Sequence, residues 1–469
     1  MRVPHRMTAA VFAFAFALTP AQARAADDET TKLPARCEEC QIAGGGRYLV
    51  MRLKGAKALT VYDATTQKLT TLDVGEDNVI YGAGGDTVLA YLRQGNEFQT
   101  WSLTTGKRVE KKGFFDKPNI QNIVMGHSRG DAAIVRSGRS PNGNFNPDLF
   151  VETSTIRGTQ IQFRYPGGGG GYNRNWEQSQ LRANGDLSRV ADWPLTPTPN
   201  NIAVMTRNDN GSYTYTQSYG MPGSLVPGDD GRVFTPLGTT VEPNPDYNPN
   251  LGGQPFRMSA AIKGKTLIPA IGGSFVLAVS REGGLTLYPS DLKEALAPLG
   301  DFPGDLPKPN NAGFGGFNGP DGRVIRLEDL GPGAINEGQN LMTLDRRICF
   351  APGLDHIVFV PYSDDKVVYR KFDLKAALDQ SGDEYLMVVS VPGLRGKGGA
   401  GWEYKMKTVA KSGPIKYELP KAPEGMKVDA DGKLTWTPPK GVVGRAPVEV
   451  KCTDKKGKEV TQAFEIVFE

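Results

Sequence analysis

The segment Val61-Tyr-Asp-Ala-Thr-Thr-Gln-Lys-Leu69 recurs as Thr100-Trp-Ser-Leu-Thr-Thr-Gly-Lys-Arg108, 39 residues further on. A second pair, Tyr288-Pro-Ser-Asp-Leu-Lys-Glu-Ala-Leu296 and Arg370-Lys-Phe-Asp-Leu-Lys-Ala-Ala-Leu378, stands 82 residues apart, close to two units of the same period. A period of about 40–45 residues with several short strands per unit is the signature of propeller blades rather than of one sandwich. The aromatic-Asp/Ser-x-Thr-Thr-Gly-Lys element reads as the turn between the third and fourth strands of a blade. The two Asp-Leu-Lys-x-Ala-Leu segments read as short helical turns, capped by Asp, with Leu and Ala facing inward.

The strands themselves are short β-branched and aromatic runs, punctuated by 58 Gly and 34 Pro. They include Arg47–Leu53, Ala58–Tyr62, Thr87–Leu92, Ala132–Val135, Ile202–Met205, Phe275–Val279, His356–Val360 and Lys366–Tyr369. Between Cys40 and Val391 there is room for seven or eight blades. Long tracts at Tyr165–Trp176, Val241–Pro255 and Phe302–Gly322 reduce the number and favour seven. Beyond the Gly-rich stretch 393–401, alternating strands and Trp436 suit a small β-sandwich of residues 402–469. The fold class is therefore all-β: a seven-bladed propeller over 44–392, with room for an eighth blade, then an immunoglobulin-like sandwich. Residues 26–43 form an N-terminal segment ahead of it.

Residues 1–25 read as a secretory signal peptide. Arg2 and Arg6 precede the apolar run Met7–Leu18, and Thr19-Pro20 leads to small-residue cleavage sites ending at Ala23 or Ala25. The run is too short to span a bilayer, and no later run is long enough. A secreted or periplasmic chain is expected. The leader carries three of the 55 basic residues and no acid, so about as many basic as acidic residues remain against 51. That balance leaves no electrostatic footprint for nucleic acid. The lysines that remain concentrate in the last segment, from Lys405 to Lys458, where a solvated surface is the ordinary meaning.

Four cysteines are few for an exported chain. Cys37-Glu-Glu-Cys40 lacks the following His of a haem site, since position 41 is Gln, and lacks the strand and helix of a thioredoxin-like site. In an oxidising compartment a local Cys37–Cys40 disulfide is expected. Cys349 and Cys452 lie in strand-like runs and read as small buried apolar residues. His356 opens an apolar strand and reads as a satisfied core residue. His127, in Gly126-His-Ser-Arg-Gly130, reads as a turn residue.

Two segments near the C-terminus, Pro423-Glu-Gly-Met-Lys-Val428 and Asp431-Gly-Lys-Leu-Thr-Trp-Thr-Pro438, resemble the putative-immunoglobulin and cadherin-like modules of bacterial secreted proteins. Gly44-Gly-Gly-Arg-Tyr-Leu-Val50, Glu76-Asp-Asn-Val-Ile80, Trp101-Ser-Leu-Thr-Thr105 and Leu344-Asp-Arg-Arg347 resemble a WD40/YVTN-like propeller of planctomycete exported proteins, where it is paired with the same terminal module. The resemblance implies propeller plus sandwich and carries no catalytic residues with it. Cadherin-like membership would imply calcium, but Thr453-Asp-Lys-Lys-Gly457 places two lysines where oxygen ligands belong. No metal or other cofactor is assigned.

No nucleophile elbow or phosphate loop is present in the sequence, and Gly167–Gly171 lacks the Lys-Ser/Thr of the latter. Paired carboxylates at Asp229, Asp230, Asp305 and Asp321 are the one route to an exported hydrolase or lyase. Asp230-Gly231, Asp321-Gly322 and Asp431-Gly432 are also ordinary hairpin turns. Loop aromatics offer a binding alternative: Tyr165, Tyr172, Trp176, Tyr247, Phe314 and Phe317 lie in Gly- and Asn-rich tracts. Tyr172, Trp176, Phe314 and Phe317 are the candidate ligand contacts if they share one propeller face. The reading from sequence is an exported, non-enzymatic binding or scaffolding protein for a protein, peptide or glycan partner. A lysine-rich envelope adhesion module is a further alternative.

Overall fold

The computed structural model describes residues 28–113, 119–138, 148–164, 179–194, 201–219, 225–235, 237–247, 254–259, 262–307, 317–318, 324–325, 332, 342–380, 384–441 and 444–468. Successive hairpins build seven four-stranded antiparallel blades, each ordered from the axis outward. Blade 1 is Cys37–Ala43, Tyr48–Leu53, Leu59–Asp63 and Lys68–Leu72, and blade 2 is Val79–Gly84, Thr87–Leu92, Glu97–Ser102 and Arg108–Gly113. Blade 3 is Ile120–Val124, Ala132–Ser137, Leu149–Glu152 and Arg157–Gln160. Blade 4 is Ser179–Ala183, Arg189–Pro194, Asn201–Arg207 and Tyr213–Tyr219, with Phe163–Arg164 added in parallel at its edge. Blade 5 is Val226–Pro227, Val233–Phe234, Thr240–Pro243 and Phe256–Met258, and blade 6 is Lys265–Pro269, Phe275–Ser280, Gly284–Pro289 and Ala297–Asp301.

Blade 7 takes three strands from Ile348–Ala351, His356–Phe359 and Lys366–Lys371, and its outermost strand from Glu29–Lys32. The pairing Glu29↔Tyr369 to Lys32↔Lys366 joins the two ends of the propeller and closes the ring. Asp28 then grips Arg370 through two 2.7 Å hydrogen bonds. The stretch 26–43, expected as a separate segment, thus supplies the closing strand and the innermost strand of blade 1. Closure by one strand from each end gains a full ladder for the open edge of blade 7.

Second strands such as Ala132–Ser137 are buried along their whole length, because each blade is covered on both faces by its neighbours. Seven apolar clusters fill the seven interfaces, from Leu49, Met51 and Val358 between blades 7 and 1 to Phe275, Phe350 and Phe359 between blades 6 and 7. Arg136, wholly buried, ties blades 3 and 4 through Asp148 and Asp192 at 2.7 Å each.

The first repeat pair falls on the third-to-fourth strand turns of blades 1 and 2, as the spacing implies. The second pair corrects the two-unit reading: it belongs to the adjacent blades 6 and 7, and the extra length is the tract between Asp301 and Ile348. Leu374–Gln380 is helical, with the Asp373 carboxylate accepting from Ala376 N at 2.9 Å and Leu374, Ala377 and Leu378 buried. Its counterpart at 291–296 is only a turn. The Pro/Asn tract from Val241 leads from the third strand of blade 5 to its fourth, with Glu242 opposite Arg257; residues 248–253 of it lie outside the described residues.

The sandwich pairs Arg395–Gly396, Glu459–Phe468, Gly444–Thr453 and Lys416–Lys421 in one sheet and Trp402–Lys405, Lys433–Trp436 and Lys427–Val428 in the other. Trp436 is buried and meets Phe468 edge-on at 5.2 Å. The stretch 393–401, expected as a linker, is built in: Arg395–Gly396 pairs in parallel with Val467 and Phe468. Asp454, in the loop weighed for calcium, accepts the backbone N–H groups of Lys456 and Lys458 at 2.9 and 2.8 Å. The domains touch closely. Ser274 donates to Val388 O, Lys407 reaches Asp355 at 2.6 Å, and a Cβ on Gly353 would sit 1.6 Å from Val389 O.

Candidate functional site

The turns between first and second strands of all seven blades gather on one face, around the central channel. Each carries glycine where backbones converge: a Cβ on Gly84 would lie 2.3 Å from Gly126 O, and one on Gly126 2.3 Å from Gly185 O. These turns exchange hydrogen bonds in a belt. His127 O, from blade 3, accepts from Gly45 N of blade 1 at 2.9 Å and from Gly85 N of blade 2 at 3.1 Å. Ser128 N donates to Gly185 O of blade 4 at 3.1 Å, and Ile271 N of blade 6 to Phe350 O of blade 7 at 3.0 Å. His356 Nε2 completes the ring by donating to Gly46 O at 3.3 Å.

Asp229, in the turn of blade 5, is the second knot. It accepts Gly185 N at 2.7 Å and Gly272 N at 2.8 Å, one from each flanking blade. It also accepts His127 Nε2–H at 3.1 Å, while His127 Nδ1 faces Ser128 Oγ at 2.9 Å. Both side chains are 17% exposed. Burial pushes the His127 pKa down, but the charge and hydrogen bond of Asp229 outweigh it and raise the value above 6.5. Burial raises Asp229, and His127 with the two glycine N–H groups brings it below 3.8. The pair is an imidazole–carboxylate brace across the channel mouth, and each partner shifts the other toward its charged form.

The brace stands between two cavities. The inner one, about 110 Å³, lies in the channel and is lined by Gln41, Val124, Arg182, Ile268 and Phe350 among others. Its cations are paired: Arg182 with Asp345 at 2.7 Å and Arg346 with Glu39 at 3.3 Å. Burial and the adjacent Arg346 bring Arg182 down to about 10. The outer cavity, about 380 Å³, lies between the turn face and the last strand of the sandwich. Asn184, Asp186, Arg207, Asp230 and Ser274 line it from the propeller, and Thr461, Gln462, Ala463 and Glu465 from the sandwich.

Of the residues singled out from sequence, Tyr165, Tyr172, Trp176, Phe314 and Asp321 lie outside the described residues. Phe317 lies in a two-residue strand, Phe317–Asn318, paired with Val324–Ile325. Tyr247 is half-buried in the blade 5 hairpin, and Asp305 is exposed. Asp230 turns away to Arg232 at 2.7 Å. The expected Cys37–Cys40 disulfide is replaced by two free, buried thiols. Both sit on one strand, where three residues of extended chain span roughly 10 Å, beyond the ~7 Å limit between bridged Cα atoms. Cys349, Cys452 and His356 are buried as expected. His127 and Asp229 appeared in the sequence as unrelated turn residues, and Arg207 did not stand out at all. The available signal was a glycine in each first-to-second strand turn, directly ahead of a β-branched run.

No curated protein matches the chain. Among solved structures, the β-propeller domain of Myceliophteria thermophila Cps50 (Swd1) aligns at 10% identity over 74% of this chain and 99% of that one, with a TM-score of 0.42. Kuenenia stuttgartiensis hydrazine synthase aligns at 12% identity over 73% and 97%, with a TM-score of 0.40. Residues 388–469 match the family model described as putative Ig domain, which begins ahead of the boundary expected at 402. The chain is thus a seven-bladed β-propeller that carries a putative Ig domain at residues 388–469.

Proposed function

We propose that the protein is an exported binding protein that holds its ligand between propeller and Ig domain without transforming it. The observation that carries this reading is the cavity of about 380 Å³ shared by both domains. Ligand pockets run from about 300 to 1,000 Å³ and favour domain interfaces. The leader-like residues 1–25 support export.

Non-catalytic use is supported by the way the carboxylates are employed. Asp229 already accepts three N–H groups, and Asp230 is held by Arg232. The ion pair favours protonated His127, the form without a lone pair to take a proton from Ser128. The test is to display glycan and peptide libraries to the full mature chain and to Ala463→Trp, which fills the cavity from the sandwich side. Ligands retained by the native protein and lost by the variant support the reading. Turnover of a library member that Asp229→Asn or Asp230→Asn abolishes would establish the hydrolase or lyase instead.

A further inference from the structure

Among the described cations around the outer cavity, Arg207 is the one left over. It ends the third strand of blade 4, is half-buried and lines the cavity. Its guanidinium has no hydrogen-bond or ion-pair partner among the described residues, and its Cζ lies over the Phe150 ring, 5.9 Å from the centroid. Its neighbours are neutralised. Arg129 holds Asp131 through two bonds of 2.7 and 3.0 Å, and Arg445 of the sandwich pairs with Glu465. Burial first, then the charges of Arg129 and Arg445, push the Arg207 pKa below its ordinary 12.5. A guanidinium stays charged in proteins, so five N–H donors and one positive charge are held partly desolvated without a hydrogen-bond or ion-pair partner among the described residues. Such an arrangement costs stability unless something else supplies the acceptor.

We propose that Arg207 anchors the carboxylate of a small, singly charged, otherwise polar ligand in this cavity. The inference rests on the binding reading above and names the chemistry of its ligand. A carboxylate matches the planar fork of guanidinium with two parallel hydrogen bonds. The same cavity is lined by Asp186, whose carboxylate has no ion-pair partner among the described residues, while Asp230 and Glu465 are paired with Arg232 and Arg445. The negative charge of Asp186 opposes a second charge on the ligand and so disfavours phosphate. Asn184, Ser274, Ser290, Thr461 and Gln462 offer hydroxyl and amide groups for the uncharged remainder. Both an acidic sugar and a peptide C-terminus present this chemistry.

The test is calorimetric titration of the full mature chain with four probes: cellobiouronic acid and cellobiose, trialanine and trialanine amide. The acid of one pair binds at least tenfold more tightly than its neutral counterpart, and which pair responds identifies the source. Arg207→Met, which keeps the apolar stem against Phe150, removes that preference, and Arg207→Lys keeps only part of it. Circular dichroism and urea unfolding of both variants separate a lost contact from a lost fold. Equal binding of acid and neutral forms, binding of neither acid, or full retention of the preference in folded Arg207→Met overturns the proposal. Library ligands lost in Ala463→Trp but indifferent to Arg207→Met would leave the cavity reading standing and remove the carboxylate. Library ligands indifferent to Ala463→Trp would remove the cavity reading itself.

Discussion

His127 and Asp229 meet at 3.1 Å across the mouth of the propeller channel, 102 residues apart in sequence. Through His127 O and the two Asp229 oxygens, this one contact connects the turns of blades 1, 2 and 3 to those of blades 4, 5 and 6. It is a structural joint of the ring, and Asp229 also lines the outer cavity.

Asp229→Ala leaves two backbone N–H groups and the His127 Nε2–H without their acceptor. The expected loss is about 2–4 kcal/mol in urea unfolding. Asp229→Asn costs less, because the amide oxygen keeps one N–H while its NH₂ faces a donor. A change below about 0.5 kcal/mol for the alanine variant would show that the belt holds without this knot.

The brace also makes stability depend on pH in a stated direction. The folded His127 value lies above 6.5, so its contribution is full below 6.5 and is lost as pH rises through the folded value. The folded Asp229 value lies below 3.8, so its contribution is full above 3.8 and is lost as pH falls through the lowered value. Urea midpoints of the native protein relative to His127→Gln are expected to diverge at pH 5.5 and converge at pH 8.5. Parallel curves across that range would contradict the ion pair.

Removal of residues 28–32 leaves the third strand of blade 7 with an open edge and Arg370 without Asp28. We expect this truncated chain to be cut by trypsin within blade 7 at concentrations that leave the chain with residues 28–32 intact. Arg370→Ala, which spares the ladder, has a smaller effect. Equal resistance of all three would mean that the ring does not depend on its terminal strand.

Gly353 packs against the Val389 carbonyl so closely that a methyl group requires the backbone to move. Gly353→Ala therefore loosens the seat of the Ig domain while leaving its own core, built on Trp402, Leu434 and Trp436, intact. Hydrogen exchange over residues 389–394 is expected to accelerate without a matching change at 446–452. Unchanged exchange in that segment would show that the contact does not hold the domain.

All four thiols are buried, and burial holds Cys40 and Cys349 up at about 12 and Cys37 higher still. Thiolate is the reactive form, so a thiol reagent added to the native protein labels none of them at pH 8. Unfolding without reductant exposes four reactive groups per chain. Recovery of only two would restore the Cys37–Cys40 bridge.

The short-range features were legible because short-range physics sets them. Alternation and turn residues marked the strands, and Thr87–Leu92 falls where the sequence places it. Gly231 and Gly432, at φ +82° and +77°, occupy the turns their Asp-Gly pairs announce. Trp436 is buried in the core of the sandwich beside Trp402 and Leu434, as its place in an alternating strand implies.

The sequence alone determined an all-β chain of repeated units, a terminal sandwich, and the burial of Cys349, Cys452 and His356. Each depends on periodicity, turn chemistry or local hydrophobicity, which a linear reading records. Tertiary structure decided the rest. Glu29–Lys32 is a polar strand with little pattern of its own, and it finds its place only because blade 7 presents an unfilled edge more than 330 residues away. His127 and Asp229 become partners, and Arg207 comes to line a shared cavity, only when ring closure brings distant turns together and lays the last strand of the Ig domain over them. Charge and hydrogen bonding act over a few ångströms of space, and only closure of the ring sets those distances.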